Sequence, residues 1–255
     1  MTDVAEKATA LRALHTAPEL LTVVNVWDAV TARVVSDVPG TRALATASHS
    51  VAASRGYEDG ENIPVEEMIA EVGLIVASTS LPVTADLEGG YGAAAETVRK
   101  AIGVGAVGAN IEDQLKPLSE AAAQVEAVMA AAAAEGVPDF VLNARTDAFL
   151  LGAEDPLREA VTRGRAYLDA GAPVVFVPGK LDEEQISTLV EAFGPQRLTT
   201  IAVPGSVPLR RQQELGVARV SYGPWSQRAA LTALADLVES VHAGGGLLEG
   251  VRPLN

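Results

Sequence analysis

Three short acidic clusters carry most of the chemistry available to this sequence: Asp86-Leu87-Glu88, Glu112-Asp113, and Asp147 with its neighbour Arg145. Each follows a run that reads as a buried β-strand, respectively Pro82–Ala85, Gly108–Ile111 and Phe140–Ala144. Carboxylates gathered at one end of neighbouring parallel strands repel one another unless a cation sits among them. Hard oxygen ligands in that number suit Mg²⁺, with Mn²⁺ as the alternative, because such an ion takes one or two carboxylates and keeps waters that substrate oxygens can replace. Any one of these acids reads equally well as a solvated loop residue. Their recurrence at the same end of successive strands favours a site. Asp86-x-Glu88-x-Gly90-Tyr91-Gly92 is the sharpest local signal, because the glycines allow the backbone to bend and a ligand to approach closely.

The elements that must position these residues alternate along the chain. Strands are expected near Leu21–Val26, Ala43–Ala47, Pro82–Ala85, Gly108–Ile111, Phe140–Ala144, Val174–Val177, Leu198–Ala202 and Ala218–Ser221. Helical patterns fill the intervals: Ala29–Ser36, Val65–Ser78, Ala93–Val104, Glu120–Ala134, Pro156–Ala170, Asp182–Phe193, Pro208–Leu215 and Trp225–His242, with a further helix at the N-terminus. Asp155 before Pro156 reads as an N-cap followed by a first-turn proline, and Gly171 and Gly194 read as helix C-terminal residues. The strands are continuously apolar rather than alternating, which implies burial on both faces and a parallel sheet. Eight such units predict a (β/α)₈ TIM barrel with an N-terminal helix, its site at the C-terminal ends of the strands; an open doubly wound sheet is the alternative. No composition break divides the chain, so residues 1–255 read as one domain. The longest irregular connection is expected from Ser48 to Pro64, long enough to read as a mobile or functional loop.

Composition narrows the field. The chain has 255 residues, 48% of them hydrophobic, enough for one sizeable core. A net charge of −14 argues against nucleic acid or an anionic membrane as partner. Cysteine is absent, which removes disulfides, thiolate catalysis and cysteine-based zinc sites, and fits a cytoplasmic location. The N-terminal residues have no apolar run of the signal-peptide kind, and no stretch reaches transmembrane length. Gly103-x-Gly105-x-x-Gly108 imitates a dinucleotide fingerprint but leads from helix into strand, the wrong order for phosphate binding. Lys180 follows the sixth strand, where a Schiff-base lysine could sit, yet Asp182, Glu183 and Glu184 beside it would keep it protonated. No histidine pair has zinc-ligand spacing.

Asn25-Val26-Trp27-Asp28-Ala29 with Ala32-Arg33, Ala85-Asp86-Leu87-Glu88-Gly89-Gly90-Tyr91-Gly92, Asn110-Ile111-Glu112-Asp113-Gln114 and Asn143-Ala144-Arg145-Thr146-Asp147-Ala148-Phe149 together resemble the isocitrate lyase/phosphoenolpyruvate mutase superfamily in order and spacing over most of the chain. The resemblance implies a Mg²⁺-dependent barrel acting on a small 2-oxo acid or related carboxylate through an enolate, with C–C bond cleavage or decarboxylation as the expected reaction. A phosphonomutase or hydrolase reaction is the alternative within the family, and an inactive metabolite-binding barrel the alternative outside it. It further implies Asp86, Glu88 and Glu112 as acidic metal-site residues, Arg145 as the substrate arginine, and Asp59 as the acid of a closing loop. Trp27, Asp28, Ser48 and His49 would complete substrate binding, the stretch at Ser48 and His49 through backbone N–H groups. Homo-oligomers, dimers or tetramers, are expected. The departure is the segment Gln114-Leu115-Lys116-Pro117-Leu118-Ser119, which lacks the cysteine-containing sequence of the family's carbon–carbon lyases and with it their expected proton donor.

Overall fold

A computed structural model of the chain describes residues 3–247 and 249–254. After helix α1 (Asp3–Thr16) come β1 (Leu21–Val23), β2 (Asn25–Val26), α2 (Ala29–Ser36), β3 (Leu44–Thr46), α3 (Ser48–Ser54), α4 (Val65–Ala77), β4 (Val83–Asp86), α5 (Ala94–Gly103), β5 (Gly108–Glu112) and α6 (Leu118–Ala134). The second half continues with β6 (Val141–Arg145), α7 (Pro156–Asp169), β7 (Val174–Phe176), α8 (Glu183–Phe193), β8 (Leu198–Ile201), α9 (Leu209–Leu215), β9 (Arg219–Ser221) and α10 (Trp225–His242). Every strand pairing is parallel, in the order β1-β9-β8-β7-β6-β5-β4-β3-β2. Only Val24 separates β1 from β2, and the two are halves of one stave. The lower half pairs with β9 (Leu21 with Arg219) and the upper half with β3 (Asn25 with Ala45). That arrangement closes eight staves into a barrel and excludes the open doubly wound sheet.

Asn25 fastens the closure. Its Nδ2 donates to the Thr46 carbonyl at 2.8 Å, while its Oδ1 accepts the N–H groups of Tyr222 and Gly223 at 2.9 and 2.8 Å. One amide side chain thus ties the stave on one side to the stave on the other at the place where its own backbone pairing is interrupted. Apolar residues alternate outward to the helices: Val175, Leu198 and Val220 pack with Ile186 and Leu189 of α8. The inward set of the same strands is more polar, with Thr199, Arg219 and Ser221 on the barrel side and Arg219 Nε donating to Ser221 Oγ at 3.0 Å. At the floor, fully buried Leu11 of α1 packs beside Gly108. Asp155 caps α7 through the Arg158 N–H, and Asp182 forms a reciprocal cap with Gln185 on α8.

Two expectations change in detail. The segment Ser48–Pro64 is not irregular throughout, since Ser48–Ser54 forms α3, with Ser48, Ser50, Val51 and Ala52 buried. Seven residues rich in serine and alanine are too short to declare a helical period. The irregular part is 55–64. Asp86 and Glu112 also sit on the sheet rather than beyond it, as the last residues of β4 and β5, and Arg145 is the last of β6, while Glu88, Asp113 and Asp147 follow the strands. Among the described residues no helix is long and apolar enough to cross a membrane.

Gly108 tests the tightness of this barrel. A Cβ at that position would lie 2.7 Å from the Val141 carbonyl oxygen and 3.1 Å from Leu11 Cδ2. Gly108→Ala is therefore expected to lower unfolding free energy by about 1–3 kcal/mol, the usual cost of overpacking, measured by urea denaturation. An unchanged midpoint would show that β5 and β6 can separate without cost.

Candidate active site

The strand ends bring four carboxylates and one arginine together. Arg145 forms an ion pair from Nη1 with Glu112 Oε2 and donates from Nε to Asp147 Oδ1, both at 2.8 Å, which leaves Nη2 unengaged by either acid. Asp86 Oδ2 accepts both the backbone N–H and the hydroxyl of Ser48 at 3.0 Å, so the first residue of α3 fixes that carboxylate. Its other oxygen, Oδ1, is buried without a hydrogen-bond partner among the described residues. Glu88, 3% exposed, accepts the Tyr91 hydroxyl at 3.1 Å and the Glu61 N–H. Glu61 in turn accepts the Tyr91 N–H at 2.6 Å, which pins the 55–64 segment to the loop after β4.

Burial dominates the electrostatics. It pushes Glu112 up to about 8 against the opposing pull of Arg145, with Asp147, Asp86 and Glu88 adding repulsion. It pushes Glu88 up to about 7 against the hydrogen bonds from Glu61 and Tyr91, with Asp59 and Asp86 again adding repulsion. Asp147 is raised in the same way. Carboxylates forced toward the neutral form by burial and by one another are a site short of positive charge.

A cavity of about 230 Å³ opens at this end of the barrel. Asn25, Ser48, His49, Asp59, Asp86, Asn110 and Arg145 line one part of it, and Leu150, Phe176, Pro178, Ile201, Val203 and Pro224 another. A cavity of about 320 Å³ elsewhere, lined by Arg12, His15 and Arg197 among others, has no acid in its lining. The chemistry belongs to the first.

The expected site residues separate into groups. Ser48, His49, Asp59, Asp86 and Arg145 line the cavity, whereas Glu88 and Glu112 are not among its lining residues. Trp27 packs against the core, and Asp28 caps α2 by accepting the Thr31 N–H at 2.7 Å; neither lines the cavity. Ser48 directs its N–H to Asp86. Asp113 turns away from the mouth. It accepts the Tyr167 hydroxyl at 2.5 Å and Arg163 Nη1 at 3.2 Å, and so anchors α7. Lys180 is not among the cavity residues.

Among the described residues no three Asp, Glu or His side chains converge as a direct ligand set. The residues nonetheless fit Mg²⁺ held largely through water. Asp86 offers one orphaned buried oxygen, and Glu88 and Glu112 are acids that a nearby cation would ionise.

The phosphoenolpyruvate phosphomutase family model matches residues 11–242. The chain belongs to that family. Within the phosphoenolpyruvate mutase/isocitrate lyase superfamily, 2,3-dimethylmalate lyase from Eubacterium barkeri is 28% identical over 246 residues, covering 90% of this chain and 84% of its own. Phosphoenolpyruvate phosphomutase from Streptomyces hygroscopicus is 29% identical, with 93% and 80% covered. A solved protein from Burkholderia cenocepacia J2315 superposes with a TM-score of 0.87 at 41% identity, over 92% of this chain and 98% of its own.

Against that family background, sequence reading missed Asn110 in the cavity lining and the buried polar residues Asn143 and Arg219. Asn110 lines the cavity and is bonded at 2.7 Å to buried Asn143, a pair that the fourth and fifth strand motifs contained. Arg219 is fully buried in β9 with neither terminal nitrogen partnered among the described residues; burial lowers it to about 10 and the Asp86 charge opposes that fall. An arginine inside an otherwise apolar strand run was the available signal.

The raised acids set a pH dependence. A carboxyl group that holds its proton more tightly folded than unfolded contributes stability in full below its unfolded value near 4.5, and loses it as pH rises through the folded value. Metal-free protein is therefore expected to lose thermal stability as pH climbs from about 5 to about 8.5. Glu112→Gln should flatten that slope. A melting temperature constant over this range in the wild type would refute the burial account of both acids.

Proposed function

We propose that this protein is a Mg²⁺-dependent lyase-type enzyme acting on a small 2-oxo acid or related carboxylate through an enolate, by C–C bond cleavage or decarboxylation. The observation that carries the reading is Asp86, whose Oδ1 is buried without a hydrogen-bond partner among the described residues, lining the same cavity as Arg145 at the C-terminal mouth of the barrel. The lyases and mutases among its relatives support it. Asp86, together with Glu88 and Glu112 through water, would hold Mg²⁺ (Mn²⁺ in its place). Bound there, the metal supplies Lewis-acid stabilisation of negative charge developing on the substrate's 2-oxo oxygen.

The chain's own residues do the rest. Ser48 keeps Asp86 in one orientation. Arg145, its Nε and Nη1 held by acids, presents Nη2 to a substrate carboxylate oxygen in a fixed plane. Asp59 enters the cavity from the 55–64 segment, where it can give or take a proton or orient a water, and that segment's tie to Tyr91 keeps bulk water out. The connection from β5 to α6 contains no cysteine, so the acid that protonates a departing carbanion must come from elsewhere in the site. Phosphonomutase chemistry is the second reading, supported by the family match itself.

Helix α10 supports assembly into a homo-oligomer, a dimer or tetramer. Leu231, Leu234, Val238 and Val241 recur on one face at coiled-coil spacing and all are exposed, while Gln227 is the one buried residue of the helix. We read the chain as one domain and place it in the cytoplasm.

Two outcomes test these proposals. Turnover of 2-oxo acids, oxaloacetate first, should vanish with EDTA and return with Mg²⁺; Asp86→Asn should weaken metal binding and activity with the fold retained by circular dichroism. Chelation without effect would reject the metal-dependent reading. Leu234→Glu should reduce the mass seen by light scattering to that of a smaller species. An assembly indifferent to that charge would move the interface away from α10.

A further inference from the structure

Among the described residues, His49 is the one imidazole in the cavity lining, where it stands with Asp59, Asp86 and Arg145. It is the second residue of α3, and that helix is held from two sides. Ser48 donates its N–H and hydroxyl to Asp86, and the Ser50 carbonyl accepts Nε2 of buried Gln227 at 3.0 Å. His49 therefore sits on fixed backbone, one residue from the acid assigned to the metal. Its ring, by contrast, is uncommitted. Nδ1 is buried without a hydrogen-bond partner among the described residues, and none of them bonds Nε2. His15 differs, one of its nitrogens being tied: Nδ1 to the Leu11 carbonyl at 2.9 Å. A buried polar nitrogen left unpaired in a cavity wall is an exception that calls for a chemical role.

The other ionisable groups of the lining have duties or a different footing. Asp86 is held by Ser48, and Arg145 gives Nε to Asp147 and Nη1 to Glu112. Asp59 is exposed on the 55–64 segment, away from the fixed backbone of α3. Of the side-chain types present, imidazole is the one that both carries and releases a proton near neutral pH. At about 230 Å³ the cavity lies below the roughly 300–1,000 Å³ of most ligand sites. The groups that line it therefore share one small ligand.

We propose that His49 is the general acid of this site, delivering a proton to the carbon that C–C cleavage or decarboxylation leaves as an enolate. The assignment rests on the functional reading above. With oxaloacetate, the bond between carbons 3 and 4 breaks, carbon 4 leaves as CO₂, and the electron pair stays with carbon 3 as the enolate. The His49 imidazolium then gives its proton to carbon 3, and the enolate returns to the 2-oxo form. Pyruvate departs, and the imidazole regains a proton from water. His49 thereby fills the place of the cysteine that this chain lacks.

The reverse of the proton step provides the test. Wild-type protein with Mg²⁺ should exchange the methyl hydrogens of pyruvate with D₂O, followed by proton NMR. His49→Gln and His49→Asn, each checked for fold by circular dichroism, should slow that exchange about a hundredfold or more, the usual loss with a general acid–base group. Both should still bind oxalate, a planar chelating mimic of the enolate, with Mg²⁺ as the wild type does by calorimetry. A histidine with only a structural role would not produce that split. Exchange kept in the His49 variants, whether or not Asp59→Asn loses it, overturns the assignment. Variants that lose oxalate binding along with exchange overturn it too, since the ring then serves binding. A wild type that binds oxalate with Mg²⁺ yet exchanges nothing overturns the acid alone. Oxalate that fails to bind the wild type overturns the functional reading and the assignment with it.

Discussion

Repulsion among carboxylates at the strand ends is the constraint to which the rest of this structure answers. Two like charges about 4 Å apart cost on the order of 4 kcal/mol at an effective dielectric of about 20, and here Asp86, Glu88, Glu112 and Asp147 share one mouth. Three devices restrain the four. Arg145 bridges Glu112 and Asp147, Ser48 holds Asp86, and Tyr91 with the Glu61 N–H holds Glu88. The parallel sheet makes this sustainable, because Asp86 and Glu112 are strand residues whose backbone is fixed on both sides, and Glu88 and Asp147 each follow two residues beyond a strand end.

Restraint also shows in the backbone. Glu61, Glu88, Tyr91, Gln114 and Leu115 all adopt positive φ without being glycine, and all lie in the connections around the mouth. Such conformations are uncommon outside glycine and persist where surrounding contacts determine them. Asp113 supplies one of those contacts, accepting the Leu115 N–H at 3.0 Å, and it also accepts the Asp147 N–H at 3.1 Å. An acid turned away from the cavity is thus a reason that the cavity has its shape.

The barrel and the position of its acids were legible because continuous apolar runs and acidic motifs repeat with one order along the chain. Even the short runs at Gly108 and Ala218 become staves. What escaped was set by tertiary partners. Asp113 and Asp147 look alike in sequence, and only the approach of Arg163 and Tyr167 from α7 tells them apart. Asp28, which the family resemblance puts among the substrate-binding residues, has a carboxylate that accepts the Thr31 N–H at the N-terminus of α2, a contact its sequence neighbours do not announce. The apolar wall of the cavity was invisible for the opposite reason, since Phe176 and Ile201 read as ordinary core until the barrel closes and leaves them lining a cavity.

That closure has a consequence for how the chain acquires its structure. The hydrogen bonds of Asn25 to Tyr222 and Gly223 join residues 197 and 198 positions apart, while the neighbouring staves β4 to β8 pair along the chain in sequence order. Contacts of such separation carry the largest loop-closure entropy and form after local ones. On a ribosome the first stave must therefore wait, half paired, until nearly the whole protein has been made. Its lower edge is an open template for strand addition during that interval.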